Sequence, residues 1–190
     1  MVISPQSIFP FSNCIYFLTS IVLLILVVRY WEGSEVKALG LSAPLLASVL
    51  LGIGAWLLFQ VSTPMLLWWG RLVTMLASTS GASQLPSFDR QMWNLSEPWF
   101  YAIIAADVVF EELVTRAYLI ERLTRFVGSV WIAGAISFLL SLALHMPGRN
   151  LYEALLRAPL ILLLVAMYLY TRSLIACSLF HFLVNATLLS

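Results

Sequence analysis

The sequence predicts an all-α fold: a polytopic bundle of about six transmembrane helices that forms one membrane domain over residues 1–190. Hydrophobic residues make up 62% of the chain and charged residues 10%, whereas soluble domains average about 45–50% and 25%. A soluble domain of this length has too much surface to hide so many apolar side chains. Apolar stretches near the roughly 20 residues that cross a bilayer recur along the chain. Each must be helical, because a backbone in hydrocarbon has to satisfy its own hydrogen bonds.

Six apolar segments are the predicted membrane spans. They run over about Ser12–Tyr30, Ala43–Val61, Trp99–Ile120 with an extension to Phe126, Val130–Met146, Tyr152–Tyr170 and Ser173–Leu189.

The region between the second and third spans is less regular. Pro64 removes a backbone donor and predicts a break or kink after the second span. Met65–Ala77 is too short to span alone, and its Trp68 and Trp69 favour a helix lying in the membrane interface. A continuation of the second span past the kink is the alternative. Ser78–Pro98 is the most polar stretch and is predicted to be the main extramembrane loop.

The net charge indicates which kinds of partner the protein can bind. The formal net charge is +1, and the chain contains no run of basic residues. Proteins that bind nucleic acid draw much of their affinity from basic side chains that neutralise phosphates. We therefore expect the lipid bilayer as a partner and no nucleic acid.

The third predicted span carries an unusual number of ionisable groups. Asp107, Glu111, Glu112 and Arg116 lie within ten residues of one another. Each costs about 2.5–3.5 kcal/mol at the centre of a membrane helix on insertion scales. Together with histidines in two other spans the penalty reaches about 10–15 kcal/mol, comparable to the stability of a whole protein. Such a cluster requires mutual pairing, a water-filled cavity, or both.

Helical geometry predicts that these groups meet the two histidines. Glu112 and Arg116 are spaced i,i+4 in the direction that favours an ion pair. His181 and Asn185 share the same spacing in the sixth span. Counting about 1.5 Å of rise per residue from the turns, three helices bring Glu111, His145, His181 and Asn185 to one depth. That depth is nearer the side of the turn at residues 146–150.

These residue types suit the hydrolysis of a peptide bond. A carboxylate in a water-poor cavity can act as a general base. A neighbouring neutral histidine can share and orient the attacking water. A second histidine and an asparagine amide can donate hydrogen bonds to a developing oxyanion, and an arginine can hold one glutamate ionised and fixed.

The motifs resemble those of a known family, the glutamic intramembrane proteases of the CPBP group, which includes the type II CAAX prenyl endopeptidases and bacterial abortive-infection-type proteins. Its first motif, Glu-Glu-x-x-x-Arg, reads here Glu111-Glu112-Leu-Val-Thr-Arg116. Its third, His-x-x-x-Asn, reads His181-Phe-Leu-Val-Asn185. The second, Phe-x-x-x-His, is represented by His145, although Ser141 stands at its phenylalanine position. The resemblance covers residues 99–186, the predicted catalytic core.

The resemblance implies a role for each motif residue. Glu111 would activate water with the help of His145, and Glu112 would support the site. Arg116 would hold Glu112 in place, and His181 and Asn185 would form the oxyanion pocket.

A bound metal is the alternative to a cofactor-free mechanism. Glu111, His145 and His181 offer the donor types that zinc prefers. They lack the tight ligand spacing on one helix that is common in zinc sites, so we favour a mechanism without a cofactor.

The sequence therefore predicts an intramembrane endopeptidase that cleaves a membrane-anchored protein or peptide near the bilayer surface, in C-terminal or sorting-signal processing. We expect an integral protein of a prokaryotic plasma (inner) membrane. Two other functions stay open. Intramembrane acids and histidines also serve proton-coupled transporters, and an inactive scaffold or immunity protein could keep the motifs for structure.

Overall fold

The computed structural model describes residues 5–78, 97–145 and 151–189. These residues form an all-helical bundle without strands, which confirms the predicted fold class. The helices are α1 (Pro5–Leu26), α2 (Leu45–Val61), α3 (Thr63–Ser78), α4 (Glu97–Glu112), α5 (Leu119–Val127), α6 (Val130–Leu144), α7 (Leu151–Thr171) and α8 (Leu174–Leu189). Two π-helical turns, Val27–Trp31 and Leu113–Tyr118, extend α1 and join α4 to α5. A short 3-10 helix covers Val36–Leu39.

Every predicted span corresponds to helix in this structure, but few of the helices are long. Two segments, Cys14–Trp31 and Ala154–Thr171, are long and apolar enough to cross a membrane alone. The bent pair of α2 and α3 adds a third if it counts as one span. Helices α6 and α8 have 15 and 16 residues, fewer than the roughly 20 that span the hydrocarbon, whereas the 16 residues of α4 continue through the π-helical turn into α5. The predicted loop and the turn at residues 146–150 lie almost wholly outside the described residues.

The break predicted at Pro64 is present. Helix α2 ends at Val61, α3 begins at Thr63, and the two axes differ by 62°. Pro64 is the second residue of α3, where its missing N–H does not interrupt the helical hydrogen bonds. The region is thus a separate helix set at a steep angle to α2.

A hydrogen bond from Trp69 ties α3 to α7 where α7 contains a proline. Pro159 lies inside α7 and cannot donate to the carbonyl of Leu155, four residues earlier. The indole Nε1–H of Trp69 donates to that carbonyl at 3.0 Å. A side chain from a neighbouring helix therefore satisfies the group that the proline leaves free, as membrane helices require.

Close packing sets the position of α8, the helix that carries His181 and Asn185. A Cβ atom on Gly52 of α2 would lie 3.0 Å from the carbonyl oxygen of Ala176, so glycine lets the two helices approach. The hydroxyl of Ser173, the residue before α8, donates to the Ser48 hydroxyl of α2 at 2.8 Å, which adds a buried polar link at the start of α8.

Ion pairs join the ends of several helices. Arg122 pairs with Glu32, and Tyr118 donates to the same carboxylate at 2.8 Å. The hydrogen bond from Arg122 holds the pKa of Glu32 below its ordinary value. Arg172, at the α7–α8 turn, pairs with Glu121 of α5. These contacts tie α1, α5 and the α7–α8 turn together.

The link between Trp69 and Leu155 can be tested by a double-mutant cycle. Trp69→Phe keeps the apolar ring but removes the indole N–H, and leaving the half-buried Leu155 carbonyl unpaired should cost about 1–3 kcal/mol of unfolding free energy. In a Pro159→Ala background residue 159 supplies its own N–H to that carbonyl, so the cost should largely disappear. Unfolding of the four purified proteins in one detergent measures the coupling. Strictly additive effects would contradict this account.

Candidate active site

The ionisable cluster lies where α4 passes into a π-helical turn. Glu111 and Glu112 are the last residues of α4, and Arg116 lies in the turn Leu113–Tyr118. Such π-turns occur often at functional sites. The Thr115 hydroxyl donates to the Glu111 carbonyl at 2.6 Å, and the Ser137 hydroxyl of α6 donates to the Thr115 carbonyl at 2.6 Å. Side-chain hydroxyls thus bond to the backbone carbonyls of this turn.

Glu112 is fully buried, and its two oxygens face different partners. The Nδ1 atom of His181 lies 2.9 Å from Oε1. Because a carboxylate only accepts, this nitrogen carries the proton. The Nε atom of Arg116 lies 3.3 Å from Oε2, an ion pair with both side chains at 0% exposure. The i,i+4 ion pair predicted from the sequence is confirmed.

The Arg116 guanidinium is also held from a second side. Its Nη1 donates to the hydroxyls of Thr115 and Ser141, each at 2.6 Å. Thr115 belongs to the same turn, whereas Ser141 belongs to α6. Within the described part of the chain, Nε and Nη2 have no partner in hydrogen-bond geometry. The two hydroxyls are therefore its hydrogen-bond acceptors there, and Glu112 supplies the opposite charge.

His145 ends α6 and is half-buried. Its Nδ1 lies 2.7 Å from the backbone carbonyl of Ser141, one turn earlier. A carbonyl can only accept, so Nδ1 carries the proton in this contact. In the neutral ring Nε2 then keeps a lone pair that can accept a proton.

The structure brings some predicted site residues together and holds others apart. Ligand-type atoms of Glu111, Glu112 and His181 lie within 4.8 Å of one another, and no other described set of three acidic, histidine or cysteine residues does so. The zinc site considered from the sequence consisted of Glu111, His145 and His181, whereas the observed group contains Glu112 in place of His145. His145 is linked to it through Ser141, which contacts Arg116. Asn185 is half-buried one turn after His181 on α8. The catalytic roles of all these residues stay predictions.

Two hydroxyl residues of this site, Ser137 and Ser141, were not among the predicted site residues. The sequence does contain a signal for them. Ser137, Ser141 and His145 follow one another at i,i+4, which places a polar stripe on one face of an otherwise apolar helix. Ser141 is the position where the sequence departs from the Phe-x-x-x-His motif, and that departure supplies the contact with Arg116.

Comparison with known proteins gives one family match. A family model described as Type II CAAX prenyl endopeptidase Rce1-like matches residues 91–187, just over half of the chain. The matched range contains every residue of the cluster. Searches among curated proteins and among solved structures found no match.

The unequal surroundings of the two glutamates predict unequal effects on stability. Glu112→Gln leaves the buried Arg116 without its counter-charge and should cost about 3–5 kcal/mol. Glu111→Gln, the same change at the next residue, removes no ion pair and should cost less than about 1 kcal/mol. Thermal unfolding of both purified variants in one detergent compares them. Equal melting temperatures would show that the Glu112–Arg116 pair contributes nothing special.

Proposed function

Because the chain belongs to the Type II CAAX prenyl endopeptidase Rce1-like family, we propose that it hydrolyses a peptide bond with water activated by Glu111. Membership makes the protein a membrane-embedded protease of the CAAX type. The glutamate mechanism and the kind of substrate are the proposal. The observation that carries it is the difference between the surroundings of two adjacent carboxylates in one polar cluster.

Glu111 and Glu112 are suited to separate tasks. Both oxygens of Glu112 are engaged, by His181 and by Arg116. Glu111 is half-buried, and among the described residues no hydrogen bond or ion pair engages its carboxylate. Two carboxylates whose environments differ commonly divide acid–base chemistry between them. Glu112 is thus the fixed anion, and Glu111 is the carboxylate that can exchange a proton with water.

The reaction then proceeds as general base catalysis. Glu111 takes a proton from water while the water oxygen bonds to the carbonyl carbon of the scissile peptide. Nε2 of His145 accepts a hydrogen bond from the same water and orients it. The tetrahedral intermediate breaks as protonated Glu111 returns its proton to the departing amine. The products are a new carboxyl terminus and a new amino terminus.

His181 and Asn185 stabilise the oxyanion of that intermediate in this proposal. The Nδ1 proton of His181 is directed at Glu112, which fixes the ring and leaves Nε2 on the other side. A protonated imidazole forms an ion pair with Glu112 and offers an Nε2–H donor. The Asn185 amide, one helical turn further, supplies a second donor. Preorganised donors of this kind lower the barrier of acyl transfer by a few kcal/mol each.

The donor set fits a catalytic zinc ion poorly. Such ions usually have three protein ligands. Here Oε1 of Glu112 accepts from His181, Oε2 faces the Arg116 guanidinium, and Nδ1 of His181 is used by Glu112. Within this group Glu111 and Nε2 of His181 are the donors left, beside a buried positive charge, and His145 lies outside it. We therefore propose a reaction without a metal cofactor.

The proposed substrate is a membrane-anchored protein or peptide, cut near the bilayer surface in C-terminal or sorting-signal processing. The position of His145 at the end of α6, rather than in its middle, supports a site close to one surface. The resemblance to bacterial family members supports a prokaryotic inner membrane as the location.

The test of this function compares protein termini in cells that make the wild type or Glu111→Gln. We expect processed termini of particular membrane or secreted proteins to disappear in the variant, because removing a general base costs about 10²–10⁴-fold in rate. Mass spectrometry of terminal peptides at matched expression provides the measurement. Glu35→Gln, an exposed glutamate outside the site, is the control. Identical terminal profiles with folded Glu111→Gln protein would reject the protease mechanism.

The cofactor-free reaction has its own test. Cleavage by the purified protein should change by less than about twofold after treatment with a strong zinc chelator, because no ligand set of the usual kind is available. Loss of cleavage on chelation, with recovery on adding zinc back, would reject this part of the proposal.

A further inference from the structure

A stripe of serines on α6 faces the buried guanidinium. Ser137 and Ser141 are fully buried, one turn apart. Ser137 donates to the Thr115 carbonyl, and Ser141 accepts from Nη1 of Arg116 at 2.6 Å. A serine inside a helix usually points to solvent or bonds back to its own helix. Here both hydroxyls reach across to the π-turn.

Ser141 contributes something that the other acceptor cannot. Thr115 precedes Arg116 in the same turn, so it moves with the guanidinium. Ser141 comes from α6 and fixes the guanidinium relative to a second helix. The backbone carbonyl of Ser141 also accepts from Nδ1 of His145. One residue therefore contacts Arg116 through its side chain and His145 through its backbone.

We propose that Ser141 is a positioning residue of the reaction: its hydroxyl holds Arg116 against Glu112 and so keeps His181 aimed at the substrate. This inference rests on the proposed function. Without the hydroxyl, the guanidinium can turn away from Glu112 and toward Glu111, which has a carboxylate oxygen within 4.8 Å of one of Glu112. Glu112 would then hold His181 less firmly, and the guanidinium would partly neutralise the charge of Glu111, the proposed base. Both effects slow the chemical step without touching the substrate.

The decisive comparison is between Ser141→Thr and Ser141→Val, which have nearly the same shape and differ in the hydroxyl. The full-length protein in detergent is assayed on a fluorogenic membrane-anchored peptide taken from a substrate that Glu111→Gln fails to process. We expect kcat to be about tenfold or more lower for Ser141→Val than for Ser141→Thr, as loss of a hydrogen bond to a charged group implies. KM should be the same for both.

Ser48 provides the matched control. It is a buried serine whose hydroxyl accepts from Ser173, between α2 and α8. Ser48→Thr and Ser48→Val carry the same pair of changes at a position without contact to Arg116. Their kcat values should agree within about twofold, since the hydrogen bond that Ser48→Val loses is to Ser173 and not to Arg116. Equal kcat for the two Ser141 variants, or an equally large difference in the Ser48 pair, would overturn the inference.

A second measurement does not depend on cleavage and remains available if Ser141→Val fails to fold. Ser141→Ala places a smaller side chain at this buried position, so it cannot clash with its neighbours. The chain has only two histidines, so nitrogen-labelled histidine gives two pairs of ring nitrogen signals in NMR, and His145→Gln assigns each pair. We expect Ser141→Ala to move the His181 signal and Ser48→Ala to leave it in place. An unmoved His181 signal overturns the inference, whereas normal cleavage by Glu111→Gln overturns the proposed function instead.

Discussion

The buried guanidinium of Arg116 is the charge around which the centre of this bundle is arranged. A charged side chain inside a membrane helix costs about 2.5–3.5 kcal/mol on insertion scales, and without a partner it would cost the fold more. Glu112 supplies the opposite charge, while Thr115 and Ser141 accept its hydrogen bonds. The second oxygen of Glu112 is bonded to His181. Helices α4, α6 and α8 are thus held together by contacts that all lead to one arginine.

This arrangement makes two adjacent glutamates chemically different. Successive residues of a helix point about 100° apart, and only one of the two glutamates contacts Arg116 and His181 directly. Glu112 takes that place, and Glu111 is left half-buried with a carboxylate oxygen within 4.8 Å of one of Glu112. Two charged carboxylates this close would repel each other, and the guanidinium offsets that repulsion. In the proposed mechanism, the same positive charge that stabilises the fold therefore also allows a second glutamate to act as the base.

The sequence predicted what depends on composition and helical spacing. It located the helical segments, the break at Pro64 and the pairing of Glu112 with Arg116, because each follows from local rules. It did not predict the π-turn, the contact of Ser141 with Arg116 or the bond from Trp69 to Leu155. Each of these depends on which helix lies beside which, and spacing within one helix carries no such information. For the same reason the sequence predicted that the two histidines lie at equal depth, but it did not distinguish their contacts. His181 contacts Glu112 directly, whereas His145 is linked to the cluster through Ser141.

The most direct test of the central claim is to identify the nucleophile. The purified protein would cleave its membrane-anchored peptide in heavy-oxygen water with hydroxylamine present, and the new carboxyl terminus would be weighed by mass spectrometry. If Glu111 activates water, every new terminus carries one heavy oxygen and no hydroxamate forms. A hydroxamate at that terminus would reveal a covalent acyl-enzyme, and the role of Glu111 as a base for water would be contradicted.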